Sequence, residues 1–173
     1  MDWRTLKGDL IHFEPLSEKI IPDLHAYASD PEVSKYIGWP LMETLDDSKA
    51  YFQKLMENEK NQTHEYASIV YQGRHIGTIM LFNFSRQAKN VEIGYVLSRK
   101  YWGMGIVSEA TKLLVDYLLE YTDMHKICAR VVSSNFASAK VLEKYGFKSE
   151  GYLVDQYYID GQYYDAIYYG YIR

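Results

Sequence analysis

The chain has 173 residues, a formal net charge of -4 and a single cysteine, Cys128. This length suits one domain, residues 1–173, with a full hydrophobic core, and a lone cysteine excludes an internal disulfide. The sequence has neither a basic start before an apolar run nor a long uncharged apolar stretch, which argues against a signal peptide and a membrane span. Five scattered histidines without metal-ligand spacing and a negative net charge argue against a metal site and a nucleic-acid partner. We therefore expect a cytoplasmic protein.

The N-terminal third predicts one strand and two helices. Apolar and polar residues alternate over residues 9–14, as in a half-buried strand. Ser17 is placed to cap a first helix, which the Asp30-Pro31 pair ends. Thr44 and Asp47 have the spacing of a capping box at the start of a second helix.

The middle of the chain predicts three sequential antiparallel strands and a crossover. Residues 66–71 and 76–84 are rich in β-branched and aromatic residues and are joined by a short glycine turn. Val91 to Leu97 follows as the third strand. A helix with apolar residues at helical spacing begins after Gly105, and a buried strand at Ile127 to Val132 follows it. Because a helix joins these two strands, we expect them to be parallel.

The C-terminal third predicts a helix and a hairpin. Asn135 is placed to cap the helix and Gly146 to end it. Asp160-Gly161 is a two-residue turn signal between strands at 152–159 and 162–172. The whole pattern predicts an α+β fold, with a mixed, mainly antiparallel sheet and helices on both faces.

The junction between the third strand and the helix after it is the most informative segment. Gly103 and Gly105 let the backbone approach a bound group closely. The helix behind them presents unpaired N–H groups and the positive end of its dipole, which suits a pyrophosphate. A Walker loop is excluded because Gly-Lys-Ser/Thr is absent, and a dinucleotide fingerprint because Ser108 replaces its third glycine. We therefore expect a phosphorylated cofactor here.

Two segments carry a family resemblance. The first is Glu92-Ile-Gly-Tyr with Tyr101-Trp-Gly-Met-Gly, and the second is Asn135-x-x-Ser with Val141-Leu-Glu-Lys-x-Gly-Phe. In order and separation they resemble the RimJ/RimL-like branch of the GNAT superfamily of acetyl-CoA-dependent N-acetyltransferases. The resemblance is strong over residues 91–173 and looser before them. It implies a GNAT-like sheet whose central strands, the third strand and the strand after the crossover, splay apart.

The resemblance also implies where acetyl-CoA binds as co-substrate. Pantetheine would enter the gap between the splayed strands, where Gly94 would mark a β-bulge. Its backbone partners would be Tyr95, Val96 and Leu97, with Asn135 as cap, pantetheine partner or both. The pyrophosphate would lie on Gly103, Met104, Gly105, Ile106, Val107 and Ser108. Two residues depart from the family pattern: Lys100, where glutamine or arginine is usual, and Val107, where glycine or alanine is usual.

Glu92 is a candidate base or amine-orienting carboxylate. By strand alternation it faces the same side as Gly94, toward the splay. An ammonium must lose a proton before it attacks, and a carboxylate in a cleft takes that proton directly or through water. The alternative is an exposed strand glutamate that faces solvent or pairs with Lys89 or Arg86.

Ser138 is the candidate donor to the departing thiolate. Many members of the superfamily carry a tyrosine for this role at the position of Leu142, so the role is vacant here. The RimJ/RimL-like pattern has a serine in the first helical turn, where the helix dipole assists a hydroxyl donor. The alternative is that Ser138 only supports the helix cap.

The predicted activity is transfer of an acetyl group to a primary amine in a ternary complex. The acceptor is a protein N-terminus or a small amine, and a polyamine, an antibiotic or an amino sugar are the open choices. An alternative of another class is a non-catalytic acyl-CoA-binding sensor. Of the eight tyrosines between residues 152 and 171, we expect some to face the core, and the others suit an acceptor entrance or the surface of a homodimer.

Overall fold

The computed structural model describes residues 2–37, 39–159 and 161–173. The strands there are β1 (His12–Pro15), β2 (His64–Tyr71), β3 (Arg74–Ser85), β4 (Asn90–Leu97), β5 (Lys126–Val132), β6 (Lys148–Ile159) and β7 (Gln162–Ile172). The helices are α1 (Ile21–Ala28), α2 (Pro31–Ser34), α3 (Leu45–Lys60), α4 (Ile106–Tyr121) and α5 (Phe136–Lys144). Short 3₁₀ turns occupy Trp3–Thr5, Glu18–Ile20 and Arg99–Tyr101. None of the described helices is both long and apolar enough to cross a membrane.

The strands form one seven-stranded sheet in the order β1-β2-β3-β4-β5-β7-β6. Every neighbouring pair is antiparallel except β4 and β5, which are parallel and joined by α4. The predicted mixed, mainly antiparallel sheet is therefore confirmed. β7 turns back to pair with β5, so β6 becomes the outer strand.

The pairing between β4 and β5 is short. It covers three residue pairs and ends at Glu92 and Cys128. β4 nevertheless continues to Leu97 on one side of the gap, and β5 continues to Val132 on the other. The two strands therefore diverge beyond this point, and the predicted splay is confirmed.

Helices cover both faces of the sheet, as predicted. On one face Ile93 of β4 shares a core cluster with Leu114 of α4 and Leu142 of α5. On the other face Val96 of β4 packs in a second cluster with α1 and with Phe52 of α3. β4 contributes to both clusters because successive side chains of a strand point to opposite faces.

The capping predictions hold at three of four helix ends. Thr44 and Asp47 form the predicted capping box of α3, Asn135 caps α5, and Gly146 follows α5 with a φ of +86°. The prediction for Ser17 was wrong, because its side chain makes no capping hydrogen bond and a 3₁₀ turn separates it from α1. β6 and β7 confirm the hairpin, whose predicted turn residue Asp160 lies outside the described residues.

The predicted bulge at Gly94 was also wrong. The pairing of β4 with β3 runs without a shift through Gly94 and its partner Met80. The irregularity lies instead in β3 between Phe82 and Ser85, at Asn83, whose φ is +52°. A Cβ at Gly94 would lie 3.3 Å from Phe82 and 3.4 Å from Met80, so glycine relieves close packing there.

Tyr27 of α1 links the stability of the fold to alkaline pH. Its hydroxyl is buried and lies 2.9 Å from Thr78 Oγ1. Burial raises the pKa of Tyr27 above its ordinary value, and the hydrogen bond with Thr78 opposes this only in part. The folded state therefore holds this proton more tightly than the unfolded state. The protonated Tyr27 contributes fully to the stability of the fold below the pKa that it has in the unfolded chain, about 10. This contribution is lost as the pH rises toward its pKa in the folded state.

We predict that Tyr27→Phe removes part of the alkaline loss of stability. The free energy of unfolding, measured with denaturant between about pH 8 and 11, should decline less steeply in the variant than in the parent. At neutral pH the variant should be about 1 kcal/mol less stable, since the hydrogen bond with Thr78 is lost. Tyr163→Phe is the matched control, because that side chain is 65% exposed. An unchanged alkaline slope would contradict the assignment.

Candidate functional site

A cavity of about 600 Å³ occupies the opening between β4 and β5. Its lining comes from the two splayed strands, the N-termini of α4 and α5, and the chain around α2. The predicted site residues among the lining are Tyr95, Val96, Leu97, Gly103, Gly105, Ile106, Val107, Ser108, Asn135 and Ser138. Three predicted residues, Glu92, Lys100 and Met104, do not line it. The splay thus brings together two segments that lie some 30 residues apart in sequence.

The wall formed by β4 offers free backbone groups. β4 pairs with β3 as far as Leu97, but its pairing with β5 has already ended at Glu92. In an extended strand the N–H and C=O groups of alternate residues point to opposite neighbours. The groups of residues 93–97 that point toward β5 therefore face the cavity and are open to an extended ligand with amide groups.

The N-terminus of α4 has the features of an anion site. Gly105 is the N-cap, with a φ of +78° and no side-chain cap, and Gly103 has a φ of +75°. These left-handed angles favour glycine at both positions. Lack of space is not the reason, since a Cβ at either position would meet nothing within 4 Å. The first N–H groups of the helix have no intrahelical partner, and the dipole makes this end positive. A phosphate group fits this arrangement.

Trp102 fixes the turn between β4 and α4. Its Nε1–H donates to the carbonyl oxygen of Leu97 at 2.9 Å, and its ring lies 6.4 Å from that of Tyr36. The indole therefore ties the end of β4 to the turn and contacts the chain beyond α2. Sequence reasoning read Trp102 only as part of a motif, because neither contact has a signal in the sequence.

The N-terminus of α5 faces the same cavity. Asn135 Oδ1 accepts a hydrogen bond from the backbone N–H of Ser138 at 3.2 Å, which confirms the predicted cap. The Ser138 hydroxyl plays no part in this cap and belongs to the cavity lining. The arrangement leaves a hydroxyl donor at the positive end of a helix.

The side chain of Tyr95 brings a second hydroxyl to this wall. Its oxygen is buried, and no group among the described residues makes a hydrogen bond to it in full geometry. Burial raises the pKa of Tyr95 to about 12, and the nearby Ser138 side chain opposes this rise. The two hydroxyl groups thus interact but fall short of a well-formed hydrogen bond. Sequence reasoning singled out only the backbone of Tyr95.

Glu92 lies at the end of the β4–β5 pairing, in an ion pair. Its Oε1 accepts from Arg130 Nε at 2.6 Å, and its Oε2 accepts from Arg130 Nη2 at 3.2 Å and from Asn83 Nδ2 at 2.9 Å. The carboxylate is buried, with 4% exposure, so neither of the partners named as alternatives, Lys89 and Arg86, holds it. Arg130, which sequence reasoning missed, lines the cavity in its place.

Arg130 keeps its proton and its positive charge. The hydrogen bonds to Glu92 raise the pKa of the guanidinium above its ordinary value, although partial burial opposes this. In the described part of the chain Arg130 is the only charged side chain in the cavity lining. The described residues also contain no group of three or more histidine, cysteine or acidic side chains that could hold a metal ion. The cavity is therefore a weakly charged, mainly apolar passage between two helix N-termini and one guanidinium.

Comparison with known proteins gives a consistent result. The family described as acetyltransferase (GNAT) domain matches residues 11–148. An uncharacterized N-acetyltransferase, p20 of Bacillus licheniformis, is 32% identical over 129 residues, which cover 73% of this chain and 72% of that protein.

Solved structures show the same fold. RimL, a ribosomal alpha-N-protein acetyltransferase in complex with coenzyme A, superposes with a TM-score of 0.86 at 20% identity and 97% coverage of both chains. Spermidine N-acetyltransferase from Vibrio cholerae, in complex with CoA and spermine, gives 0.81 at 18% identity, with 95% of this chain and 96% of that chain covered. Since the family match spans most of the chain and p20 aligns over nearly three quarters of it, the chain belongs to the acetyltransferase (GNAT) family.

Proposed function

We propose that this acetyltransferase moves the acetyl group of acetyl-CoA to the nitrogen of a primary amine while both substrates are bound. The observation that carries the proposal is the continuous cavity from the N-terminus of α4, through the gap between β4 and β5, to Arg130. Such a passage gives the phosphates a helix N-terminus and the thioester a narrow gap, and it leaves the opposite face of the sheet for the amine. RimL and the spermidine enzyme, which share the fold, are both solved with CoA.

The residues that would hold acetyl-CoA fit its chemistry. The turn and first helical residues at 103–108 offer N–H groups to the pyrophosphate, and the free edge of β4 at Tyr95, Val96 and Leu97 offers partners to the pantetheine amides. Val107 lines the cavity at the start of α4, while Lys100 is exposed beside it. We propose that Lys100 contributes only its long-range charge.

The chain's own side chains then have limited tasks. The thioester is already activated, so the protein has to position both substrates, handle one proton and stabilise the departing sulfur. We assign the last task to the Ser138 hydroxyl at the N-terminus of α5, where the helix dipole favours a negative sulfur. Glu92 is assigned to the amine, either as base or as the group that orients it.

The geometry bears on the choice between the two roles of Glu92. Both of its oxygens already accept hydrogen bonds, and Arg130, which binds the carboxylate, lines the cavity while Glu92 does not. An orienting role needs only that Glu92 hold Arg130, whereas a base role needs a water to carry the proton. The pH dependence of turnover separates the two.

The charge of the lining favours a peptide N-terminus or another amine of low charge as acceptor. A polyamine carries several positive charges and is best met by carboxylates, but the described lining contains none and includes the cation Arg130. The likeness to the spermidine enzyme keeps a polyamine as the second candidate. An acyl-CoA sensor would share the same cavity and differ only in lacking transfer.

The first test is thiol release from acetyl-CoA with a panel of amines. We predict a higher kcat/KM with a dipeptide that has a free N-terminus than with spermidine, since the peptide amine does not bring further positive charges near Arg130. A preference for spermidine would support the polyamine alternative. Binding of acetyl-CoA without release of thiol from any amine would support the sensor alternative.

A second test concerns the phosphate site. Ser108→Asp adds a carboxylate to the first turn of α4, where an acidic residue suits the helix but repels a pyrophosphate. We predict that the Kd for acetyl-CoA, measured by calorimetry, rises about tenfold or more, which is about 1.4 kcal/mol. Ser17→Asp is the control, because Ser17 lies directly before a helical turn but is exposed and outside the cavity lining. Equal affinity in both variants would show that the pyrophosphate binds elsewhere.

A third test concerns Glu92. We predict that Glu92→Gln lowers kcat/KM by about 100-fold at neutral pH if the carboxylate is the base, and that this loss shrinks as the pH rises and the amine arrives deprotonated. A loss that is constant with pH would indicate the orienting role through Arg130. Turnover equal to that of the parent at every pH would remove Glu92 from the mechanism. Far-UV circular dichroism of each variant checks that the unpaired Arg130 has not disturbed the fold.

A further inference from the structure

The hydroxyl of Tyr95 is an unpartnered polar group in the wall of the cavity. It is buried and has no hydrogen-bond partner in full geometry among the described residues. Leaving a buried hydroxyl unpaired is unfavourable, so such groups in native proteins usually have a structural or functional reason. Tyr95 lines the gap between β4 and β5, where a ligand or a shifted neighbour can complete the bond.

Ser138 lines the same cavity as Tyr95. The two side chains interact, since Ser138 opposes the rise in the pKa of Tyr95 that burial causes. The backbone N–H of Ser138 is fixed by Asn135, so the helix start that carries this serine is held in place. Since that backbone is fixed, the two hydroxyl groups would reach hydrogen-bond geometry through rotation of their side chains.

We propose that Tyr95 is a positioning residue for Ser138, in an arrangement that rests on the proposed function. The Tyr95 O–H donates to Ser138 Oγ, and this leaves the Ser138 hydrogen directed at the sulfur of CoA. Because burial keeps the pKa of Tyr95 at about 12, its hydroxyl holds its proton at neutral and mildly alkaline pH and acts as a donor. Hydrogen bonds in such a chain polarise one another, so the serine becomes a better donor.

The chemical step needs no proton transfer within this pair. The amine nitrogen forms a bond to the acetyl carbon, the carbon–sulfur bond breaks, and its electron pair stays on sulfur. The nitrogen gives up one proton and the sulfur finally takes up one, through solvent. Ser138 and Tyr95 stabilise the sulfur while it is negative, and both keep their own protons.

The sequence alone could not suggest this role. The family resemblance leads to the expectation of a tyrosine at Leu142, which directs attention to α5 and to Ser138. Tyr95 lies 43 residues earlier, on β4, and reaches Ser138 only because the splay places the end of β4 opposite the start of α5. A tyrosine from the strand thus takes a place beside the helix that lacks one.

The test compares the binding of CoA with that of desulfo-CoA, which lacks only the sulfur. If the site stabilises a thiolate, the pKa of the bound thiol falls, and the affinity for CoA relative to desulfo-CoA rises with pH across the usual thiol pKa of about 8.5. We expect this rise in the parent between about pH 7 and 9.5, and we expect Tyr95→Phe and Ser138→Ala each to reduce it about tenfold, or one pKa unit. The double variant should lose no more than Ser138→Ala alone.

Controls separate positioning from packing. Tyr71→Phe removes the hydroxyl of another half-buried tyrosine in the same core cluster and should leave the pH-dependent ratio unchanged. The affinity for desulfo-CoA and the melting temperature of Tyr95→Phe should stay close to the parent values. An unchanged ratio in Tyr95→Phe, or losses that add in the double variant, would overturn the proposal.

The binding readout is independent of the acceptor. If no amine in the panel is acetylated, the proposed function fails, but the ratio of CoA to desulfo-CoA affinity still reports whether Tyr95 and Ser138 act on the sulfur. If transfer occurs, Tyr95→Phe should lower kcat about tenfold with little change in the KM for acetyl-CoA. A fall in affinity without a fall in kcat would assign Tyr95 to binding and contradict its role through Ser138.

Discussion

The separation of β4 from β5 after three residue pairs is the constraint on which the site depends. Parallel strands of this length normally pair along most of their course, because unpaired backbone groups in a buried position are costly. Here the unpaired edges of β4 and β5 face a cavity and not the packed core. The sheet therefore contains an internal edge, and an extended ligand with amide groups can complete it much as a peptide completes an exposed strand.

The two faces of the sheet maintain this gap in different ways. On the face of α4 and α5, apolar residues of both strands pack in one core cluster with residues of the two helices. On the other face the Glu92–Arg130 pair stands at the last paired position, with Asn83 as an additional donor. The β3 bulge at Asn83 gives that amide its position, so an irregularity in a neighbouring strand supports the ion pair at the gap.

Much of the fold follows from local sequence signals. Helical periodicity gave α4, the capping box gave α3, and turn residues gave the hairpins, because each of these signals depends on residues close together in the chain. The resemblance placed the cofactor segments, and ten of its predicted cofactor and catalytic residues do line one cavity. The helix start at Ser17 was misplaced because the residues directly after it form a 3₁₀ turn, and α1 begins only at Ile21.

What the sequence could not provide are contacts between distant elements. The partner of Glu92 lies 38 residues away on β5, and only the register of the parallel pair brings Arg130 beside it. The bulge was assigned to Gly94 since glycine often marks one, but a left-handed asparagine in β3 supplies it. The burial of the Tyr95 hydroxyl and its missing hydrogen bond have no pattern in the sequence.

The bond from the Trp102 indole to the Leu97 carbonyl has a thermodynamic consequence for ligand binding. It joins the end of β4 to the glycine turn in the folded protein, before any ligand arrives. The turn therefore loses most of its conformational freedom during folding, and little entropy remains to be lost when an anion binds at α4. The left-handed glycines determine the shape of the turn, and the tryptophan makes the turn rigid. A ligand therefore binds to a turn that is already in its final conformation.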